Sequence, residues 1–294
     1  VLYHGTHGTT LHRVDTSRAF RQIVLIINRN NVYQLFKYTV YALLTLNVYF
    51  FFNEEWAAAT HRFVGGIALE DVIEAFAASI DTMAWVALLL MFELETYVLD
   101  EKKVTKHIAW TLYGLRAVCY VFIIYAFSGY IAKLLFLFDV TPLPNISNLC
   151  NFVNNQWAFA VTLDEYQILT TENCKSISNG TVFYQFPGMN VVTDLNGLTK
   201  IVRLAWVDVI NSAVWLLVVL VLEIDIRLQK TRKFEGLILL ISNTSKFILY
   251  AVLLFAAIYW GFEGKFVDFW DAFLWLVAFV FIELNVFEWH QDNP

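Results

Sequence analysis

The sequence predicts an all-α integral membrane protein of about six transmembrane helices, grouped as three pseudo-repeated helix pairs with a small extracytoplasmic loop domain. Three observations carry that expectation. Hydrophobic residues make up 59% of the 294 and charged residues 16%, with a mean hydropathy of +0.56, whereas soluble domains are about half apolar and a quarter charged. Apolar runs of bilayer length recur along the chain. Charged and aromatic residues inside those runs recur at fixed spacing. The 26 Phe, 14 Tyr and 10 Trp suit lipid-facing surfaces and interfacial belts. Only four prolines interrupt the chain. A formal charge of −6 with no basic stripe excludes a nucleic-acid partner.

In chain order, residues 1–30 are polar, with Arg13, Arg18, Arg21 and Arg29, and read as a cytoplasmic tail or interfacial helix, not a signal peptide. Spans are predicted at 32–52, 72–99, 106–137, 201–227, 236–262 and 267–288. Each meets the ~20 residues a bilayer requires. The resulting segments are 31–137 with three helices, 138–199 as the loop domain, 200–290 with three more helices, and 291–294 as a short tail. Basic residues concentrate in the N-terminal tail, in Lys102, Lys103 and Lys106, and in Lys230, Arg232 and Lys233. By the positive-inside rule both termini are cytoplasmic, in a cell membrane or bacterial inner membrane. The 138–199 segment then lies outside, where Cys150 and Cys174 are expected to form a disulfide. It also carries glycosylation sequons at Asn145 and Asn179, meaningful only in a secretory pathway. Cys119 reads as a small core hydrophobe.

Self-comparison shows the repeat. A shift of 130 residues places Trp85, Glu93, Glu95, Arg116 and Tyr120 on Trp215, Glu223, Asp225, Lys246 and Tyr250 without a gap, and Asp81 on Asn211. A further shift of 60 places Asp208, Asn211, Trp215 and Glu223 on Asp268, Asp271, Trp275 and Glu283. Lys37 and Tyr41 repeat the spacing of the other base–Tyr pairs. The unit is [Asp/Asn]-x3-Trp-x7-Glu on one helix and [Lys/Arg]-x3-Tyr on the next. Glu93 with Arg116, Glu223 with Lys246 and Glu283 with Lys37 are the expected inner-leaflet pairs, the last requiring that six helices close a ring.

Two readings of these charges stand side by side. An ion inside the bilayer costs at least ~2.5–3.5 kcal/mol on insertion scales, so each must face protein or water. The pairs then either lock helices in register, or line a cation or proton path with Lys37, Arg116 and Lys246 as counter-ions. An outer acidic tier of Asp81, Asp208, Asp268 and Asp271 lies ~18–23 Å along the helices from the inner one, as a cation route or as polar helix ends. Trp85, Trp215 and Trp275 read as wedges between helices, and Tyr41, Tyr120 and Tyr250 as hydrogen-bond donors to carboxylates. The leading functional expectation is a cation or proton channel or transporter. Its rival is a structural or sensory subunit of a larger membrane complex.

No catalytic motif appears, and no enzyme activity, cofactor or metal is expected. The six histidines fall near or beyond the span ends, which disfavours buried bis-His haem. There is no Cys-x-x-Cys, phosphate-cradling Gly-rich loop or Gly-x-Ser-x-Gly. No helix has the every-third-residue bases of a voltage sensor. The tripled plan resembles mitochondrial carriers in outline only, without their proline-acid-base signature. The bilayer is the expected partner, and the Phe-rich perimeter suits lipid, a second copy or other membrane subunits equally.

Overall fold

The computed structural model describes residues 16–63, 65–95, 105–144, 146, 148–155, 157–162, 164–178, 182–230 and 236–292, with the side chains of 16–30, 154, 155, 226, 229, 230 and 280–292 outside that description. The fold is mostly helical, with one small β-sheet. Helix α1 (Thr16–Arg62) is followed by a short α2 (Val72–Ala75), α3 (Ala77–Glu93) and α4 (Lys106–Phe136). A loop domain follows, and then α6 (Leu195–Lys230), α7 (Leu237–Phe262) and α8 (Phe266–Asp292). Four segments are long and apolar enough to cross a membrane: Asn31–Arg62, Lys106–Asp139, Leu195–Asp225 and Leu237–Phe262. Their outer faces leave Phe50, Phe122, Phe247 and Phe255 exposed, the surface that lipid would cover.

Each long helix packs on its neighbours in the chain, and α8 packs back on α1, so the helices close a ring. Its core is one apolar cluster fed by all of them. Leu44 of α1, Leu89 of α3, Ile123 of α4, Val218 of α6, Leu253 of α7 and Ala278 of α8 are all buried there. Local chemistry sets the ends. The Thr105 hydroxyl accepts from the Ile108 amide to cap α4. Gly264, at φ +80°, makes the left-handed turn between α7 and α8 that a side chain would strain.

Two elements depart from the predicted spans. Helix α1 runs on to Arg62, so Glu54 and Glu55, expected in a loop over 53–66, sit on its last turns. No proline or glycine separates Phe52 from Arg62, and Trp-Ala-Ala-Ala continues the helix readily. The predicted second span is broken at Phe76 into α2 and α3. The freed amides of Ala78 and Ser79 are taken up by the Glu55 carboxylate at 2.9 and 3.0 Å, an anion at a helix N-terminus supplied from within the protein.

The loop domain holds β1 (Thr141–Leu143), β2 (Ala158–Ala160), β3 (Tyr166–Ile168), a short α5 (Cys174–Ile177), β4 (Phe183–Gln185) and β5 (Val191–Asp194), in sheet order β1-β4-β5-β2-β3. Strand alternation divides its residues between two cores. Ala158, Ala160 and Val191 pack on Leu134 and Leu137 at the end of α4 and on Ile201 and Ala205 of α6. Val192 and Phe183 turn the other way, onto Leu149 and Leu169. The Cys150–Cys174 disulfide is formed, tying α5 to the 3-10 turn Leu149–Asn155. Closing that span stabilises by about 3–3.5 kcal/mol in the chain-entropy picture. Cys119 is free and buried. Asn145 and Asn179 lie outside the described residues.

Candidate functional site: an acid-lined cavity above a tryptophan triad

At mid-bundle, Trp85, Trp215 and Trp275 meet, Trp275 edge-on to the other two and Trp85 tilted on Trp215. Their ring centroids are 6.1, 6.2 and 6.4 Å apart, and Phe279 closes on Trp215 at 4.7 Å. All three indoles are buried, so the residues expected as wedges between helices form one plug. Below it lie buried apolar side chains of the central cluster, Leu89 and Val218 among them.

Above the plug, toward the sheet, lies a cavity of about 70 Å³, room for several waters at roughly 10–15 Å³ each. It collects the whole predicted outer tier, Asp81, Asp208, Asp268 and Asp271. Glu54, Glu55 and Asp164 join them, so seven carboxylates face the single ammonium of Lys133 among the described lining residues. A smaller adjoining cavity shares Asp164, Asp208 and Asp268 and adds Lys265.

The [Asp/Asn]-x3-Trp spacing now has a physical meaning. Four residues along a helix is one turn, which brings the Trp85 indole within reach of Asp81 and the Trp275 indole within reach of Asp271. Asp271 also accepts from Asn47 Nδ2 at 2.8 Å, and Asp81 from the Tyr130 hydroxyl at 3.5 Å. Trp260 of α7 serves Asp208 in the same way. Oδ1 of Asp81, of Asn211 and of Asp164 are buried without a hydrogen-bond partner, and of the three only Asp164 Oδ1 has a cation within ion-pair distance, Lys133 at 3.5 Å.

Lys133 joins the helices to the loop domain. Its ammonium donates to Glu55 at 3.2 Å and lies 3.5 Å from Asp164, which follows β2 in the turn between two strands. Lys265 reaches Glu54 at 2.6 Å, and Arg62 pairs with Glu74. Burial alone would push the Asp164 carboxyl up, but Lys133, Lys265 and Arg62 outweigh it and hold it below the usual carboxylate range. Lys265 responds in mirror image. Burial opposes its charge, yet Asp268, Asp164 and Glu54 raise it above an ordinary lysine.

At the far end of the bundle two of the three predicted pairs are replaced. Lys37 donates to Glu93 at 2.7 Å, joined by the Tyr38 hydroxyl at 3.0 Å and the Tyr41 hydroxyl at 3.5 Å. Arg116 pairs with Glu95, not with Glu93. Lys246 pairs with Asp225 at 3.1 Å, not with Glu223, and Ser242 bonds the same carboxylate at 2.6 Å. Glu223 instead takes Arg227 of its own helix at 3.0 Å, half exposed. The reason is helical geometry. At 3.6 residues per turn, positions two apart point some 200° away from each other. Helices α3 and α6 therefore turn their first acid toward the preceding helix and their second toward the following one. Glu93 thus meets Lys37 and Tyr41 of α1, and Glu223 acts electrostatically on Tyr120 of α4. Tyr250 packs against the central core. The Glu283 side chain lies outside the described residues.

Glu55, Lys133, Asp164, Lys265 and Asn47 were not singled out by the sequence reading. Lys133 carried the clearest signal: a lone base in an apolar run, with no place in the repeat. Comparison with family models, with curated proteins and with solved structures finds no match for this chain.

Proposed function

We propose that the chain is a six-span membrane protein that moves protons or small cations, with the acid-lined cavity as its outward entry and the tryptophan triad as the closed gate. In this reading α3 and α8 are the remaining spans, both termini are cytoplasmic and the sheet domain is outside, in keeping with the basic flanks at Lys102–Lys106 and Lys230–Lys233. The observation that carries the reading is the imbalance at the cavity: seven carboxylates and one ammonium in a polar space that ends on an apolar plug. Such an excess draws cations into the cleft. Intramembrane acids that face a water-sized space are the usual mark of an ion or proton route. The functional weight accordingly moves from Glu93 and Glu223 to the outer tier, because the inner acids are neutralised by close bases.

The test is ion and proton flux into liposomes, with wild type beside Trp85→Ala. Loss of one indole from the plug is expected to raise passive flux well above wild type. Equal impermeability of both proteins would remove the gate from the proposal. The rival reading, a structural or sensory subunit, draws on the completeness of the inner pairs. It expects no flux from either protein, and a lowered melting temperature on Glu93→Gln.

A further inference from the structure

We infer that the ion taken up in the cavity is the proton and that Asp81 is the residue that binds it, with Tyr130 as its hydrogen-bond partner. The physiological use of that site rests on the transport reading, whereas its chemistry does not.

Metal-cation binding needs several oxygens converging on one point, six to eight for a calcium ion. Among the described residues no group of three acidic, His or Cys side chains is placed to hold a metal ion. The carboxylates of the cavity are instead spread around water-sized space, each turned to its own donors. Glu55 is saturated by two backbone amides, the Ser79 hydroxyl at 2.7 Å and Lys133. Glu54 has Lys265, and Asp271 has Asn47. Asp164 has Lys133. Asp208 has the Trp260 indole and Asp268 faces Lys265, so each of these carboxylates has a donor or a cation of its own.

Asp81 is less well served. It has no ion-pair partner, only the Trp85 indole one turn along its helix and the long Tyr130 hydrogen bond on Oδ2, and its Oδ1 is a buried acceptor without a donor. The groups facing it from the packed elements add no cation of their own. They are Glu55 of α1, Asp271 of α8 and Tyr130 of α4, with Lys133 of α4 already engaged by Glu55 and Asp164. Glu74 of α2 is turned to Arg62. Asn211 of α6 offers a second orphan acceptor to the same cavity. A buried carboxylate oxygen with no cation of its own, beside a second orphan acceptor, is where an added proton gains most. A hydronium in the cavity gives its proton to the Asp81 carboxylate and leaves as water. The new carboxylic O–H is then a donor where none was present.

Infrared difference spectroscopy of the reconstituted protein, between acidic and alkaline buffer, reads the protonated carboxyl directly. Wild type is expected to show a carboxylic C=O band that Asp81→Asn abolishes. Tyr130→Phe is expected to shift that band without removing it, an effect that a purely structural tyrosine would not have. Proton, Na⁺ and K⁺ flux are measured in the same vesicles, and Asp81→Asn should bring proton flux down to that of empty liposomes. An unchanged band in Asp81→Asn overturns the inference. If Na⁺ or K⁺ then crosses, the transport reading survives without it. A band lost in Asp81→Asn from a wild type that passes no ion upholds the proton site and removes the transport reading.

Discussion

Lys37 and Glu93 offer the sharpest measurement of what the inner charges do. The pair is 2.7 Å long, with side-chain exposures of 1% and 9%, so neither ion can turn to water. Lys37→Met leaves the Glu93 carboxylate with only the Tyr38 and Tyr41 hydroxyls. Removing one member of a buried pair costs about 3–5 kcal/mol, because the other charge is stranded. Replacing both, as Lys37→Met with Glu93→Leu, removes the stranded ion together with its partner and should recover most of the loss. Glu223→Gln is the contrast. Its partner Arg227 is 75% exposed and one turn away on the same helix, so the loss should stay near ~0.3–0.5 kcal/mol. The assay is steric-trapping or thermal unfolding in a lipid-like detergent, arranged as a double-mutant cycle. A Lys37→Met loss under about 1 kcal/mol, or a double variant as unstable as the two singles added together, would refute the reasoning. So would a Glu223→Gln variant as damaged as Lys37→Met.

Two further outcomes follow from packing and charge. A Cβ on Gly129 would sit 2.7 Å from the Ile73 carbonyl oxygen and 3.0 Å from the Ala77 Cβ, so Gly129→Ala should destabilise by about 1–3 kcal/mol. Gly114→Ala on the same helix meets nothing within 4 Å and should gain about 0.4–1 kcal/mol, both read by the same unfolding assay. Asp164 sets a pH dependence for the loop domain. Its carboxyl is held below the unfolded value of about 3.9, so its stabilising contribution is full above that pH and is lost as pH falls through the lower folded value. Protease resistance of the loop domain should drop on acidification in wild type and drop less in Asp164→Asn. Identical profiles would show that the latch to Lys133 contributes nothing.

The membrane class was legible because apolar composition and run length need no tertiary knowledge, and four segments of the structure meet both tests. The Trp spacing was legible as a pattern, but nothing local says that three indoles from distant segments share a centre. The disulfide followed from two cysteines in one polar segment. The partners of Arg116 and Lys246 were misassigned for a definable reason: matching repeats by column pairs like with like, whereas a helix sends residues two apart to opposite neighbours. Glu95 and Asp225 stood in the pattern throughout and needed only that rotation. The break at Phe76 and the role of Glu55 were out of reach, since they depend on α1 extending a further turn past the predicted bilayer edge. No sequence window of α3 announces that its first amides are satisfied from another helix.

The two ends of the bundle differ in the one respect that bears most on function. At the end away from the sheet Lys37, Arg116 and Lys246 each have an acid within ion-pair distance, and the tyrosines and Ser242 add bonds to the same carboxylates. Such a tier is close to neutral, and neutral pairs fix helix register without attracting ions. At the cavity the acids outnumber the bases, and the surplus surrounds a space with room for water. Desolvating unpaired acids lowers stability, so their retention beside a cavity is hard to explain as packing. A purely structural design would have put apolar residues there, as it did immediately below the tryptophans. The surplus therefore argues for a ligand of positive charge at that level. The unpartnered oxygens of Asp81 and Asn211 mark the place for it, and among the described residues no three acidic side chains converge there as a metal ion would require.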